Sequence, residues 1–157
     1  MPATTQFARR ISAFPLLLLL VPLLAGCGDG GTEPPDELAP LVGLWEAETL
    51  VMTSQANPSL EMDLVEMGAL FTISILGSGE YTAYLKAFGQ EAATSGTVSV
   101  SGDTFVLHQS DGPATTGTWR LEEGDLILEG ETEFDFNQDG ETEPAFVYME
   151  LFHVKQS

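Results

Sequence analysis

Cysteine is almost missing from this chain. Cys27 is the single one in 157 residues, so no disulfide can form within it. Basic residues are nearly as scarce, five Lys and Arg against 24 Asp and Glu. Arg9 and Arg10 precede Cys27 and every acid follows it, so the chain beyond Cys27 sets 24 acids against Lys86, Arg120 and Lys155, a net of 21 negative side-chain charges. A field of that sign repels phosphate backbones and anionic headgroups and excludes nucleic-acid binding. Its ordinary purpose is solubility or adaptation to salt. Catalytic signatures are lacking too, with no G-x-S-x-G and no G-x-x-x-x-G-K-[ST]. The two histidines, His108 and His153, fall in strand-like segments without an Asp or His at ligand spacing. No acid, base or nucleophile constellation stands out, and the chain is expected not to be an enzyme. A long apolar run is missing as well. Ile11 to Leu24 spans fourteen residues and contains Pro15 and Pro22, whereas a spanning helix needs about 20.

What stands at the N-terminus is the pattern of an export signal. Arg9 and Arg10 form a positive n-region, Ile11 to Leu24 an apolar core, and the small residues Ala25 and Gly26 precede Cys27. Ser12 and Ala13 fall where a twin-arginine signal carries bulky apolar residues, so ordinary secretion is expected. Leu24-Ala25-Gly26-Cys27 resembles the lipobox of bacterial lipoprotein precursors. The resemblance implies cleavage of residues 1–26, a diacylglycerol on the Cys27 thiol and an acyl group on its new amine. Three chains would make a lasting anchor, since one chain binds membranes only marginally and two already hold. Gly28 rather than Asp follows the cysteine, which places the expected location in the bacterial cell envelope at the outer membrane. Residues 28–40 (GDGGTEPPDELAP) lack aromatics and periodicity and read, with lipidated Cys27, as a disordered linker over 27–40. Such a tether reaches at most about 45 Å, and nearer 20 Å on average.

Residues 41–157 are long enough for one core and one domain. Strand-like alternation runs through Leu44–Met52, Ala69–Leu76, Tyr81–Leu85, Thr97–Val100, Thr104–His108, Thr115–Leu121, Asp125–Glu129 and Phe146–Val154. In the first of these Trp45, Ala47, Thr49 and Val51 share a face. Period-two alternation broken by Gly-Asp turns is the pattern of an antiparallel sandwich or barrel. Gly96-Thr97-Val98-Ser99-Val100 is echoed 21 residues later by Gly117-Thr118-Trp119-Arg120-Leu121, each followed by a Gly-Asp pair. Two hairpins of one design are expected, not a solenoid.

Gly43-Leu44-Trp45 resembles the G-x-W signature of lipocalin-like, or calycin, barrels, and Gly117-Thr118-Trp119 with Gly124-Asp125-Leu126 is similar to bacterial lipocalin-like domains in small lipoproteins. The resemblance implies an all-β fold, an antiparallel up-and-down eight-stranded barrel closed at one end by Trp45, with a basic residue of the last strand over that tryptophan. Lys155 is the residue expected there. The expected role is that of a lipid-anchored, non-enzymatic binding module. The expected ligand is small, apolar and neutral or cationic, held by Trp45, Tyr81, Phe105 and Trp119. The rival reading is a solid barrel serving structure or protein interaction, such as inhibition. A cavity of about 300 Å³ or more separates the two.

Two segments remain. In Asn57–Gly68, Ser59 is expected to cap a short helix that presents Leu60, Leu64 and Met67 on one face and ends at Gly68. Met52, Met62 and Met67 would then either plug the barrel end or form an adaptable lid. The loop Asp135–Glu143 matches the first half of the calcium pattern D-x-[DN]-x-[DN]-G. Asp135, Asn137, Asp139, Glu141 and Glu143 are its candidate ligands. Phe146 stands where an EF-hand needs its bidentate glutamate, which rejects an EF-hand. A weak Ca²⁺ site and a polar turn both fit the spacing. No other cofactor is expected.

Overall fold

The computed structural model describes residues 37–110 and 112–155. The leader 1–26, Cys27 and tether residues 28–36 lie outside the described residues. Nine strands follow a 3₁₀ turn at Ala39–Leu41: β1 Gly43–Ser54, β2 Glu61–Asp63, β3 Leu70–Ile75, β4 Glu80–Ala87, β5 Gln90–Ser101, β6 Thr104–Gln109, β7 Ala114–Glu122, β8 Asp125–Phe134 and β9 Glu143–His153. Every strand pairs antiparallel with its neighbour, and β9 returns to pair with β1 from Trp45↔His153 to Ser54↔Ala145. The expected closed, up-and-down, eight-stranded barrel is therefore the observed fold. Closure removes the free edges that would otherwise template aggregation. The short β2 is additional, pairing through Val51↔Asp63 on the edge of β1 that β3 leaves open above Glu46.

A β-bulge divides β1. The pairing steps from Ala47↔Leu151 to Thr49↔Glu150, so Glu48 is left over and exposed. One extra residue reverses the facing of everything after it. Trp45 and Ala47 point inward as the alternation predicts, but beyond the bulge Leu50, Met52 and Ser54 take the inner positions, opposite Met149, Val147 and Ala145. Thr49 and Val51 are outward, contrary to the simple period-two expectation.

The lower end is shut by Trp45, by Leu41 and by Leu38, a residue that composition alone assigns to the tether. Leu38 and Leu41 are buried with Trp45, Ile75, Val98, Leu126 and Leu151 in one cluster, and the Trp45 indole N–H donates to the Leu41 carbonyl at 2.9 Å. The folded unit thus includes Leu38. Pro40 in the first turn of the 3₁₀ segment fixes φ there and helps hold its shape. The residue over Trp45 is not Lys155 but His153, its ring edge-on at 5.0 Å between centroids. His153 pairs directly with Trp45 and so shares its side of the sheet, whereas Lys155 lies beyond the end of β9. A methyl group on Gly43 would strike the His153 ring, which gives the first residue of the G-x-W pattern its steric reason.

The 21-residue echo is likewise physical. Added to Gly96, a Cβ would collide with the His108 carbonyl of the next strand. Added to Gly117, it would stand 2.7 Å and 2.8 Å from the Phe105 ring and against the Glu129 carbonyl. Both glycines let neighbouring strands approach more closely than a side chain would allow.

Candidate functional site

Above the closed end the barrel is not filled. A cavity of about 350 Å³ has Phe71, Ile73, Tyr81, Phe105, Leu128 and Met149 among its walls. The room comes from small residues on inward positions, with Ala83, Ala92, Thr94 and Gly130 also at its boundary. Ala83 pairs with both Ile73 and Thr94, and Gly130 with both Gly117 and Val147, so small side chains stand side by side on adjacent strands. Among the boundary residues only Glu129 is charged. Alternation along β8 turns it outward, where its Oε2 accepts from Arg120 Nη1 at 3.1 Å. The apolar walls, the size and the small number of polar groups match the usual make-up of a small-molecule pocket.

The four aromatic residues expected to hold the ligand separate into two pairs. Tyr81 and Phe105 line the cavity. Trp45 is buried below it, and Trp119 is half-buried, its indole N–H donating to the Gly102 carbonyl at 3.0 Å across the β5–β6 turn. Both tryptophans serve the closed end. Tyr81 is 2% exposed, and its hydroxyl has no hydrogen-bond partner among the described residues.

The mouth lies at the opposite end, among the β4–β5 turn, the β8–β9 loop and the β1–β3 connection. A groove of about 600 Å³ there is bordered by Leu64, Phe88, Phe134, Glu91, Glu133 and Asp135, and it shares Leu85 and Ala92 with the inner cavity. Phe134 meets Phe136 edge-on at 5.0 Å and Phe88 at 6.5 Å. Phe88 (φ 51°) and Gly89 (φ 75°) are the two central residues of a type I′ turn, a costly place for a bulky side chain. The rim is thus both aromatic and acidic, a combination invisible to a search for single motifs.

The expected helix over Asn57–Gly68 is absent. Glu61–Asp63 pairs with β1 instead, and Asp63 Oδ1 accepts from the backbone N–H of Val65 at 2.9 Å and of Glu66 at 3.4 Å. An aspartate that satisfies its own following amides competes directly with helical hydrogen bonding. The three methionines consequently do not act together. Met52 lines the cavity, Met62 pairs with it on β2, and Met67 is 53% exposed. Leu64, at 1% exposure, is the residue this segment buries.

In the acidic loop the side chains serve the loop's own backbone. Asp135 accepts from the amides of Asp139 (3.2 Å) and Gly140 (2.8 Å), Asn137 Oδ1 from that of Asp139 (2.9 Å), and Asp139 Oδ1 from that of Glu141 (2.8 Å). Glu143 instead opens β9, opposite Phe134. Among the described residues no three of His, Cys, Asp or Glu come together as a metal site, and no helix is long and apolar enough to cross a membrane. His108 is exposed, and His153 is committed to Trp45. Neither the protein-family models nor the curated proteins contain a match to this chain.

Proposed function

We propose that this chain is an exported, lipid-anchored envelope protein whose lipocalin-like barrel binds one small apolar ligand and performs no chemistry on it. One observation carries the reading: an apolar cavity of about 350 Å³ inside a barrel shut at one end and rimmed by aromatic residues at the other. That volume lies within the range of ligand pockets, roughly 300–1,000 Å³. The net charge favours neutral or cationic molecules, and the acids at the mouth favour a cationic end placed there. The export signal and Cys27 support anchoring at the outer membrane. Native mass spectrometry of protein purified from its own membrane tests the binding. A retained small molecule is the expected result, and repeated recovery of ligand-free protein under conditions that preserve the fold would count against it.

A second reading, an interaction surface on the barrel's outside, is supported by Phe146 and Phe152. These outward residues of β9 are 50% and 37% exposed. Charged substitutions at both would abolish partner capture in that case and leave small-molecule binding untouched.

A further inference from the structure

We infer that the barrel wall carries a docking slot for an extended peptide, one that alternates apolar and basic residues and pairs antiparallel with a free edge of β5. The inference stands apart from the small-ligand reading, which needs the cavity alone.

Closure of β9 onto β1 leaves one length of edge unpaired, and strand lengths show where. β5 runs from Gln90 to Ser101 and β8 from Asp125 to Phe134. The hairpin between them is shorter. β6 joins β5 only from Gly96↔Gln109 toward the closed end, and β7 joins β8 only from Gly117↔Gly130. Above those points residues 90–95 of β5 pair with β4 alone, and residues 131–134 of β8 with β9 alone. One further bond, from the Ser110 N–H to the Ser95 carbonyl at 2.9 Å, ends the β5–β6 ladder.

Alternation identifies the groups left over. The Val98 N–H turns away from β6 and donates to the Gly79 carbonyl at 2.7 Å, whereas the Ser95 carbonyl turns toward β6. Glu91 and Ala93 share the parity of Ser95, so their N–H and C=O groups point into the gap. Exposure agrees with an open wall. Ala92 and Thr94 are inward positions paired with Leu85 and Ala83. Both are exposed, although Ala83 beside them is only 6% exposed. They border the apolar cavity together with Thr132 of β8, so the slot opens into it.

An unpaired edge templates another strand unless charge, proline or a bulge blunts it. Residues 90–95 hold one charge, Glu91, and no proline. A strand added there sends alternate side chains to opposite faces. One set enters the cavity toward Phe105, Leu107 and Met149, which calls for apolar residues. The other set lies outside, between Glu91 and the outward Glu131 and Glu133. Lys86 bonds Glu91 at 3.0 Å, and Arg120 bonds Glu122 and Glu129. Glu131 and Glu133 have no cation against them among the described residues, which calls for Lys or Arg. A second copy of this chain would bring a like negative field to the edge and is disfavoured.

The test uses the chain from Gly28, which contains every strand of the barrel, and the peptide acetyl-KVKVKVK-amide, followed by fluorescence anisotropy in physiological salt. In an antiparallel strand on β5 the outward lysines aim their amides at β5, and the inward valines aim theirs away. N-methylation of the lysines should weaken binding about tenfold or more, the size of one lost hydrogen bond or several. N-methylation of the valines should leave it almost unchanged. Ala93→Pro removes a gap-facing N–H without breaking the ladder to β4. It should weaken binding by about tenfold, and peptide should slow amide exchange at Glu91 and Ala93 in wild type. Should Ala93→Pro unfold the chain, Glu131→Lys/Glu133→Lys gives the same reading, since both sites are exposed and the variant should lose the peptide while keeping its urea midpoint. Equal affinity for the two methylated peptides would mean capture by charge alone and overturns the inference. The reverse order of affinities, or no binding of the unmethylated peptide, overturns it as well. Self-association of the peptide-free chain that Ala93→Pro abolishes would assign the edge to a second copy and also overturns it.

Discussion

At the residue scale the two tryptophans have different weights. Trp45 is 3% exposed, bonded to Leu41 and covered by His153. Trp45→Ala should cost roughly 3–5 kcal/mol, the usual range for deleting a buried aromatic. That is a large share of the roughly 5–15 kcal/mol available to a domain. Trp119 is half-buried, and Trp119→Ala should stay within roughly 0.5–3 kcal/mol. Urea midpoints that fall equally in the two variants would contradict this assignment. Cys27 lies outside the described residues, and its role is tested directly: Cys27→Ser should no longer take up radiolabelled palmitate. The loop aspartates are already engaged by backbone amides. Calorimetry with Ca²⁺ in physiological salt should accordingly show little or no heat, with any dissociation constant at about 10⁻⁴–10⁻³ M or weaker. A micromolar one-site isotherm that disappears in Asp135→Ala/Asp139→Ala would establish a committed metal site.

The bulge in β1 is the decisive feature at the scale of elements. Removing Glu48 would join Ala47 to Thr49 in regular alternation and leave Leu50, Met52 and Ser54 facing inward. Removing Val51 would also abolish the bulge, but at the expense of turning Leu50 out and Thr49 in. Leu50 is 2% exposed, and exposing such a side chain costs roughly 1.5–3 kcal/mol. Deletion of Glu48 should therefore be tolerated better than deletion of Val51, by about that margin in unfolding free energy. The reverse order would mean that the twist supplied by the bulge matters more to closure than the facing of Leu50. The short β2 obeys a similar local logic. Its expected helix failed because Asp63 bonds the amides of Val65 and Glu66, an option open to aspartate in any turn and costly within a helix.

On the scale of the whole molecule, the proposed binding depends on a void and on the sign of the surrounding field. Ala83→Phe would put a ring into the cavity from a position paired with Ile73 and Thr94. It should abolish uptake of apolar probes while costing at most roughly 1–3 kcal/mol in stability, the range for overpacking. Unchanged uptake would show that ligands bind elsewhere. The acidic field makes a separate prediction. Affinity for a cationic amphiphile should fall as salt rises, because the Debye length shrinks from about 30 Å at 0.01 M to about 8 Å at 0.15 M. A neutral ligand of the same length should be nearly indifferent to salt, and parallel salt curves for the two would remove the acidic rim from the account.

Local pattern sufficed for the barrel, and the export route proposed above rests on local pattern too. Alternation at period two, Gly-Asp turns and a cysteine after small residues are each written in neighbouring residues and act over short distances. What only the folded chain decided involves residues far apart in sequence. Glu48 becomes a bulge because β9 passes it by, and His153 instead of Lys155 reaches Trp45 because pairing puts it on the same face. Leu38 leaves the apparent tether because the barrel end has room for it. The cavity is the plainest case. Bulky Trp45, Tyr81, Phe105 and Trp119 suggested a filled interior or a set of ligand contacts. Whether space remains depends on Ala83, Ala92, Thr94 and Gly130 meeting across strands. A void is a property of several strands at once, and close packing elsewhere makes even a few missing side chains count. The unpaired hydroxyl of Tyr81 has the same origin, since a tyrosine in an alternating strand carries no sign of whether a partner awaits it across the barrel.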